Sequence, residues 1–312
     1  MTPFFSVVIP VYNRAAVLRA ALQSVLAQSE QDFEIVVVDD GSADDPKATC
    51  DAFGDPRIRC IRQVNGGGGA ARNAGISAAR GDFIAFLDSD DVFLPRHLQA
   101  MRALLTGSRN TAGYARLVVD RGGGRTYLKP PRAIGAGENM ASYLLCCRGM
   151  VPTTTLVVPR SLAATTLYDT DLREAEDTDF AIRLALGGCA FRMAEKPGGV
   201  WNDHYDPHRQ SAGRARARLE EWLNGLKTRI PHKAWLGGRG WAIAKGVAAN
   251  DPLRALRYYL SAVFAGCYGP GLAVIIFLQI FLPARLYRAG ADAAIGWLGG
   301  DPRAALQDRA SR

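Results

Sequence analysis

The first residues in this chain whose grouping points to chemistry are carboxylates at the ends of apolar runs. Asp88-Ser89-Asp90-Asp91 follows the run at 82–87 directly. Three acids so close repel one another unless positive charge sits among them. Hard divalent cations take oxygen ligands, and Mg²⁺ commonly uses one or two carboxylates together with substrate phosphates. The cluster therefore reads as a metal–diphosphate site. A solvated turn capping the helix that opens at Pro95 accounts for one acid but not for three. Asp39-Asp40-Gly41-Ser42 closes another apolar run. An Asp-Gly turn is a sufficient account of it when taken alone. Beside Pro10 and Tyr12, which offer a flat apolar and aromatic wall, Asp40 has a second use as acceptor for a nucleobase imide.

Three further groups stay open between two readings. The run Asn65-Gly66-Gly67-Gly68-Gly69 before Ala70-Ala71-Arg72-Asn73 lacks the GxxxxGK[ST] and first-unit GxGxxG patterns of phosphate loops. Its glycines serve either as a turn and helix start or as N–H donors to an anion, with Arg72 near ribose or phosphate. Glu176-Asp177 at a helix start are either acids favoured by the helix dipole or a general base taking a proton from an acceptor hydroxyl. His208, in Tyr205-Asp206-Pro207-His208, is an ordinary loop histidine or an imidazole ligand.

These residues need elements to hold them in place. Strand-like apolar runs at 5–9, 34–38, 57–62 and 82–87 alternate with helical spacing at 15–28, 46–53, 70–79 and 95–105. Strand-then-helix units predict a parallel sheet with right-handed crossovers, and ligands bind such sheets beyond the carboxyl ends of the strands. Asn13, Asp40, the glycine run and 88–91 all fall at that edge. Beyond it the pattern predicts a strand over 112–120, a Pro- and Gly-rich loop over 127–136, a helix over 138–147 and a strand over 154–158. A helix over 177–186 and a strand over 189–194 follow, then basic helical sequence over 211–245.

The chain has 312 residues and 48% hydrophobic content, enough for a substantial core and incompatible with a disordered or disulfide-stapled chain. Six cysteines without CxxC spacing point to reduced thiols in the cytosol. Residues 1–208 hold 22 basic and 24 acidic side chains, whereas 209–257 hold 11 and 3. The 27 residues from 258 to 284 then carry no charge. Gly266, Gly269, Pro270 and Gly271 interrupt that run, which favours a helix lying in a membrane interface over a buried helix or a span. The first strand is expected at Phe4 or Phe5 with no charged leader before it.

In order along the chain, Val8-Ile9-Pro10-Val11-Tyr12-Asn13, Val37-Val38-Asp39-Asp40-Gly41-Ser42, Ala71-Arg72-Asn73-Ala74-Gly75, the stretch from Gly81 to Asp91, and Glu176-Asp177-Thr178-Asp179 form a set that resembles the family 2 glycosyltransferases of the GT-A fold. The resemblance covers roughly 4–211. It implies an α/β catalytic domain over 1–211, with a mostly parallel sheet flanked by helices; the charge pattern beyond it predicts a helical, basic and apolar, membrane-associating region over 212–312. It implies an inverting transferase that moves a sugar from a nucleotide-sugar donor, a UDP-sugar favoured, to a glycan or polyprenyl-linked acceptor, with Mg²⁺ or Mn²⁺. By position, Pro10, Tyr12, Asn13, Asp40, Arg72, Asp88 and Ser89 would bind the donor, and Asp90, Asp88 and His208 the metal. Asp177 would be the base, with Glu176 beside it. Asp206-Pro207 stands where the family often has a basic residue. The implied setting is bacterial surface polysaccharide synthesis at the inner face of the cell membrane, with no nucleic-acid partner. Two alternatives are a nucleotide-sugar-binding protein without turnover, which would not need Asp177, and a sugar nucleotidyltransferase. The latter calls for a glycine-rich, basic loop after the first strand, where Pro10-Val-Tyr-Asn13 stands instead.

Overall fold

The computed structural model describes residues 2–203 and 216–298. Its elements begin with β1 (Phe5–Val11), α1 (Ala15–Leu26), β2 (Phe33–Asp39), α2 (Pro46–Asp51), β3 (Ile58–Arg62), α3 (Gly68–Ala78) and β4 (Phe83–Phe86). Next come β5 (Val92–Phe93), α4 (His97–Leu105), β6 (Thr111–Tyr114), β7 (Leu117–Asp120), β8 (Thr126–Lys129) and α5 (Met140–Cys146). After them lie β9 (Val157–Pro159), α6 (Arg160–Thr166), α7 (Glu176–Leu186), β10 (Ala190–Met193) and β11 (Gly199–Asn202). The rest is helical: α8 (Arg216–Gly225), α9 (His232–Gly238), α10 (Ala244–Val247), α11 (Pro252–Phe264), α12 (Pro270–Phe281) and α13 (Ala284–Leu298).

Contacts divide the chain into two units. The first comprises Met1–Arg121, Leu128–Pro130 and Val151–His204, the second Gly122–Tyr127, Pro131–Met150 and Tyr205–Arg312.

The first unit is α/β. A seven-stranded sheet runs β10-β6-β9-β4-β1-β2-β3. The pairings β1–β2, β1–β4, β2–β3 and β6–β10 are parallel, and β9 is antiparallel to β4 and β6. Successive strand residues face opposite sides, and every residue of β2 is buried, so both faces are covered. Ile35 and Val37 join Val7, Ile9, Ala85 and Leu87 in one cluster with Leu18 and Leu22 of α1 and Leu98 and Met101 of α4. Val36 and Val38 turn the other way, toward Ala71 of α3. Pro10 pairs with Val38 beyond the last β1–β4 pair, Val8–Phe86, so the ladder loses no donor on that side. A second, four-stranded sheet runs β5-β11-β7-β8.

The structure departs from expectation where side-chain hydroxyls replace ladder bonds. The strand expected over 112–120 is two strands, β6 and β7, in different sheets. At the break the Ala115 N–H donates to Thr155 Oγ1 at 3.2 Å, and Thr155 Oγ1 donates to the Ala115 carbonyl at 2.7 Å. The strand expected from 154 starts at Val157, because Thr153–Thr155 form a 3₁₀ turn. The loop expected over 127–136 begins as β8, and the short β11 was not anticipated.

In the second unit, α11 buries Ala255, Tyr258, Tyr259 and Ala262, and α12 buries Ile276 and Ile280. The Tyr259 hydroxyl donates to the Ala273 carbonyl at 3.0 Å. All six cysteines are free thiols. Among the described residues no helix is long and apolar enough to cross a membrane.

Candidate active site

Apart from His208, the predicted residues meet at the carboxyl edge of the seven-stranded sheet, within the first unit. The Asp40 N–H donates to the Val11 carbonyl at 2.9 Å, which sets Asp40 beside the end of β1. Its buried carboxylate is already engaged. Oδ1 accepts from Gln63 Nε2 at 2.7 Å and from the Gly66 N–H at 2.9 Å, and Oδ2 accepts from the Gly67 N–H at 2.8 Å. Asp40 therefore anchors the glycine loop. Asn13, with φ 52°, pins the neighbouring turn: its N–H donates to Ser42 Oγ at 2.9 Å and its Oδ1 accepts from the Ala43 N–H at 2.7 Å. Tyr12 is 37% exposed, open to a flat ligand.

The three acids after β4 do three different things. Asp91 points inward, accepting from Thr154 Oγ1 at 2.6 Å and from the Asn202 N–H at 3.2 Å. Burial and then the Asp88 charge push its pKa up to about 8. Asp88 Oδ1 accepts from Arg72 at 2.6 Å, and Asp90 Oδ2 from Arg14 at 2.6 Å. Ser89 is buried in the turn between them. Asp88 and Asp90 form a hard, all-oxygen donor pair suited to Mg²⁺ or Mn²⁺ and would hold such an ion. Among the described residues no group of three or more His, Cys, Asp or Glu is placed to hold a metal. The third expected ligand, His208, lies outside the described residues.

Arg72 joins the two halves of the site. Its NH2 donates to Asp88 at 2.6 Å and its NH1 to Glu176 Oε2 at 3.0 Å, 104 positions away in the chain. Burial opposes its charge, but Asp88, Tyr168 and Glu176 outweigh that and keep it firmly protonated. The guanidinium lies 5.3 Å from the centroid of Tyr168, which stacks on Phe180 at 4.1 Å. Asn73 clamps the same segment from both sides: its Nδ2 donates to the Tyr168 carbonyl at 2.9 Å, and its Oδ1 accepts from the Tyr168 N–H at 2.7 Å.

The acids at the start of α7 also divide. Asp179 is buried and bonded to Arg183 at 2.5 Å. Burial raises the Glu176 pKa against the pull of Arg72. Among the described residues Asp177 makes no ion pair; its Oδ1 accepts from the Thr178 N–H at 2.8 Å. Burial raises its pKa, with that hydrogen bond opposing. A carboxylate made more basic and left without a cationic partner is suited to receive a proton.

The glycine run proves to be a seat for the segment before α7. Gly67, with φ 89°, lies against the Arg173 guanidinium, which a Cβ there would overlap. A Cβ at Gly68 would stand 3.2 Å from Arg72 NH1 and 3.5 Å from Glu176 Oε2, and one at Gly69 would stand 3.3 Å from the Asp169 carbonyl. Leu167 (φ 46°) and Ala175 (φ 60°) bound that segment in the left-handed conformation, which non-glycine residues adopt at a cost. Sequence reasoning missed Arg14 and Arg173. Arg14 directly follows Asn13 at the expected edge, and Arg173 precedes Asp177 by four positions, so both were within reach of a search for cations near the acids.

The chain is similar to known proteins in sequence and in fold. The family model for glycosyl transferase family 2 matches residues 6–154. The amylovoran biosynthesis glycosyltransferase AmsB of Erwinia amylovora is 32% identical over 205 residues, covering 62% of this chain and 67% of that protein. GlyG of Streptococcus pneumoniae is 45% identical over 95 residues, 30% of this chain and 32% of GlyG. A glycosyltransferase of Rickettsia felis is matched over only 27% of its length. Among solved structures, S. aureus TarS 1–349 in complex with UDP-GlcNAc aligns with a TM-score of 0.61 at 16% identity, covering 88% of this chain and 86% of that one.

The chain is a glycosyltransferase and belongs to glycosyltransferase family 2. Its α/β fold, with a mostly parallel mixed sheet flanked by helices, is similar to that of TarS.

Proposed function

We propose that the protein is an inverting transferase that moves a sugar from a nucleotide-sugar donor to a hydroxyl of a glycan or lipid-linked acceptor in bacterial surface polysaccharide synthesis. A UDP-sugar is favoured as donor, since the TarS structure holds UDP-GlcNAc, and the polysaccharide setting follows the name of AmsB. Residues 1–211 are assigned to catalysis. Residues 212–312 are assigned to peripheral attachment at the cytoplasmic face of the membrane. The observation that carries the reading is the Arg72 bridge, which ties the tip of β4 to the start of α7. One guanidinium thereby holds Asp88 and Glu176, the residue beside the proposed base Asp177.

Pro10 and Tyr12 form the wall for the base, and Asp40 keeps one lone pair beyond its three loop donors. Asp88 and Asp90 would hold Mg²⁺ or Mn²⁺, which when bound offsets charge growing on the departing diphosphate. Asp177 takes the proton of the acceptor hydroxyl as that oxygen attacks the anomeric carbon from the face opposite the leaving group. One displacement inverts the centre without a covalent intermediate. Glu176, held by Arg72, fixes the first turn of α7 and so the aim of Asp177.

A donor screen with Mg²⁺ or Mn²⁺ tests this, reading nucleoside-diphosphate release and donor-dependent thermal stabilisation together. One nucleotide sugar is expected to give both. Stabilisation without release for any donor would leave a binding protein, and neither signal would refute the proposal.

A further inference from the structure

Catalysis leaves one feature of the second unit unused. Helix α12 has no charged residue. Its inner face buries Ile276 and Ile280, and Gln279 accepts from Trp241 Nε1 at 2.8 Å. Val274, Phe277, Leu278 and Leu282 nevertheless stay 60%, 40%, 36% and 36% exposed. Their spacing of three, four and eight positions puts them on one side of a helix, so they form a continuous apolar stripe. Phe264 at the end of α11 and Leu286 in the first turn of α13 are 84% and 60% exposed. Contiguous apolar surface of this kind marks an interaction site, whereas single exposed side chains do not.

Charge identifies the occupant. The uncharged run is flanked by Arg257 and Arg285, both exposed. The next acid along the chain, Asp292, lies 3.8 Å from Arg125. The first charge on either side of the run along the chain is an arginine, so two copies paired through this face would bring like charges together. Residues 204–215 and 299–312 contain only Tyr205 and Leu306 as large apolar side chains, too few to match the stripe. An anionic bilayer supplies both missing halves, an apolar layer and negative headgroups. The twelve residues of α12 span about 18 Å, well short of a hydrocarbon core of about 30 Å.

We propose that the outward stripe of α12 is a membrane-contact face. The helix lies in the plane of an anionic interface with Val274, Phe277, Leu278 and Leu282 among the acyl chains, and Arg257 and Arg285 meet headgroup phosphates. This rests on the peripheral placement proposed above and gives it a surface.

The test is flotation of the full chain with vesicles of phosphatidylcholine containing phosphatidylglycerol, against phosphatidylcholine alone. Wild type is expected to float with the anionic vesicles and to lose binding as salt rises. Val274→Asp/Leu278→Asp is expected to weaken binding by roughly tenfold or more with its melting temperature unchanged. Val17→Asp, an exposed apolar position in the first unit, is expected to float like wild type. Equal flotation of wild type and the double variant would overturn this face while leaving the peripheral placement standing. Equal flotation with both vesicle types would overturn the headgroup pairing. If wild type floats with neither, both proposals fall, and a dimer seen by light scattering and broken in the double variant would assign the stripe to a second copy.

Discussion

Replacing Asp177 by Asn removes a negative charge and a proton acceptor while leaving the side chain almost the same shape. The backbone bond Asp177 accepts from the Thr178 N–H at 2.8 Å is kept by the Asn carbonyl, and among the described residues no ion pair is lost. The loss should therefore fall on turnover, by the roughly 10²–10⁴-fold a general base contributes, about 3–5 kcal/mol of barrier. Donor binding should stay nearly unchanged, because the role proposed for this carboxylate is toward the acceptor. The raised pKa adds two signs. In wild type the acid side of the kcat profile should lie above the ordinary aspartate range, since the base works only when deprotonated. For stability, the folded state binds this proton more tightly than the unfolded chain, so stability is lost as pH rises through the folded value. Asn escapes that cost, and the variant should melt at the same temperature or higher at neutral pH. The assays are steady-state diphosphate release from pH 4 to 9, calorimetric titration with UDP, and thermal melting. Turnover within about tenfold of wild type, or UDP affinity falling in step with turnover, would refute the assignment.

Asp90→Asn should abolish the stabilisation that Mn²⁺ gives in the presence of UDP, read as a melting shift, while UDP alone stabilises it as it does wild type. Arg173→Ala should weaken UDP more than UMP, by roughly tenfold for a charge-assisted contact, in titrations of both nucleotides; equal weakening would make Arg173 merely a packing residue on Gly67. His97, 2% exposed with both ring nitrogens unpartnered, has its pKa pushed down to about 3 by burial. Below pH ~6.5 the unfolded chain binds the proton that the folded state refuses, so stability should fall by about 1.4 kcal/mol per pH unit toward pH 3. His97→Phe should flatten that slope in melting curves taken between pH 6.5 and 4.5.

The sheet was legible because β1, β2 and β4 are buried on both faces and so appear as unbroken apolar runs that end in polar turns. Strand ends then pointed to Asp40 and to 88–91 without any knowledge of contacts. The division of labour among those acids was not legible, since it depends on partners far along the chain. Asp90 meets Arg14 at a separation of 76 positions, and Asn73 holds Tyr168 at 95. Arg72, expected beside the nucleotide, is committed to two carboxylates. The break between β6 and β7 was hidden for a similar reason: Thr155 supplies by hydroxyl what a ladder would supply by backbone, and a threonine looks the same in either use.

The seating of residues 168–176 on Gly67, Gly68 and Gly69 binds two distant stretches into a single heritable part. Grafting the 166–186 segment of a relative into this enzyme would bring a counterpart of Asp177, the proposed base, whose bed was shaped for another sequence. Chimeras that exchange 65–73 together with 166–186 should keep the base aimed. Those that move only one stretch should fold and yet misplace Asp177, so that recombination among such transferases succeeds in pairs of fragments rather than singly.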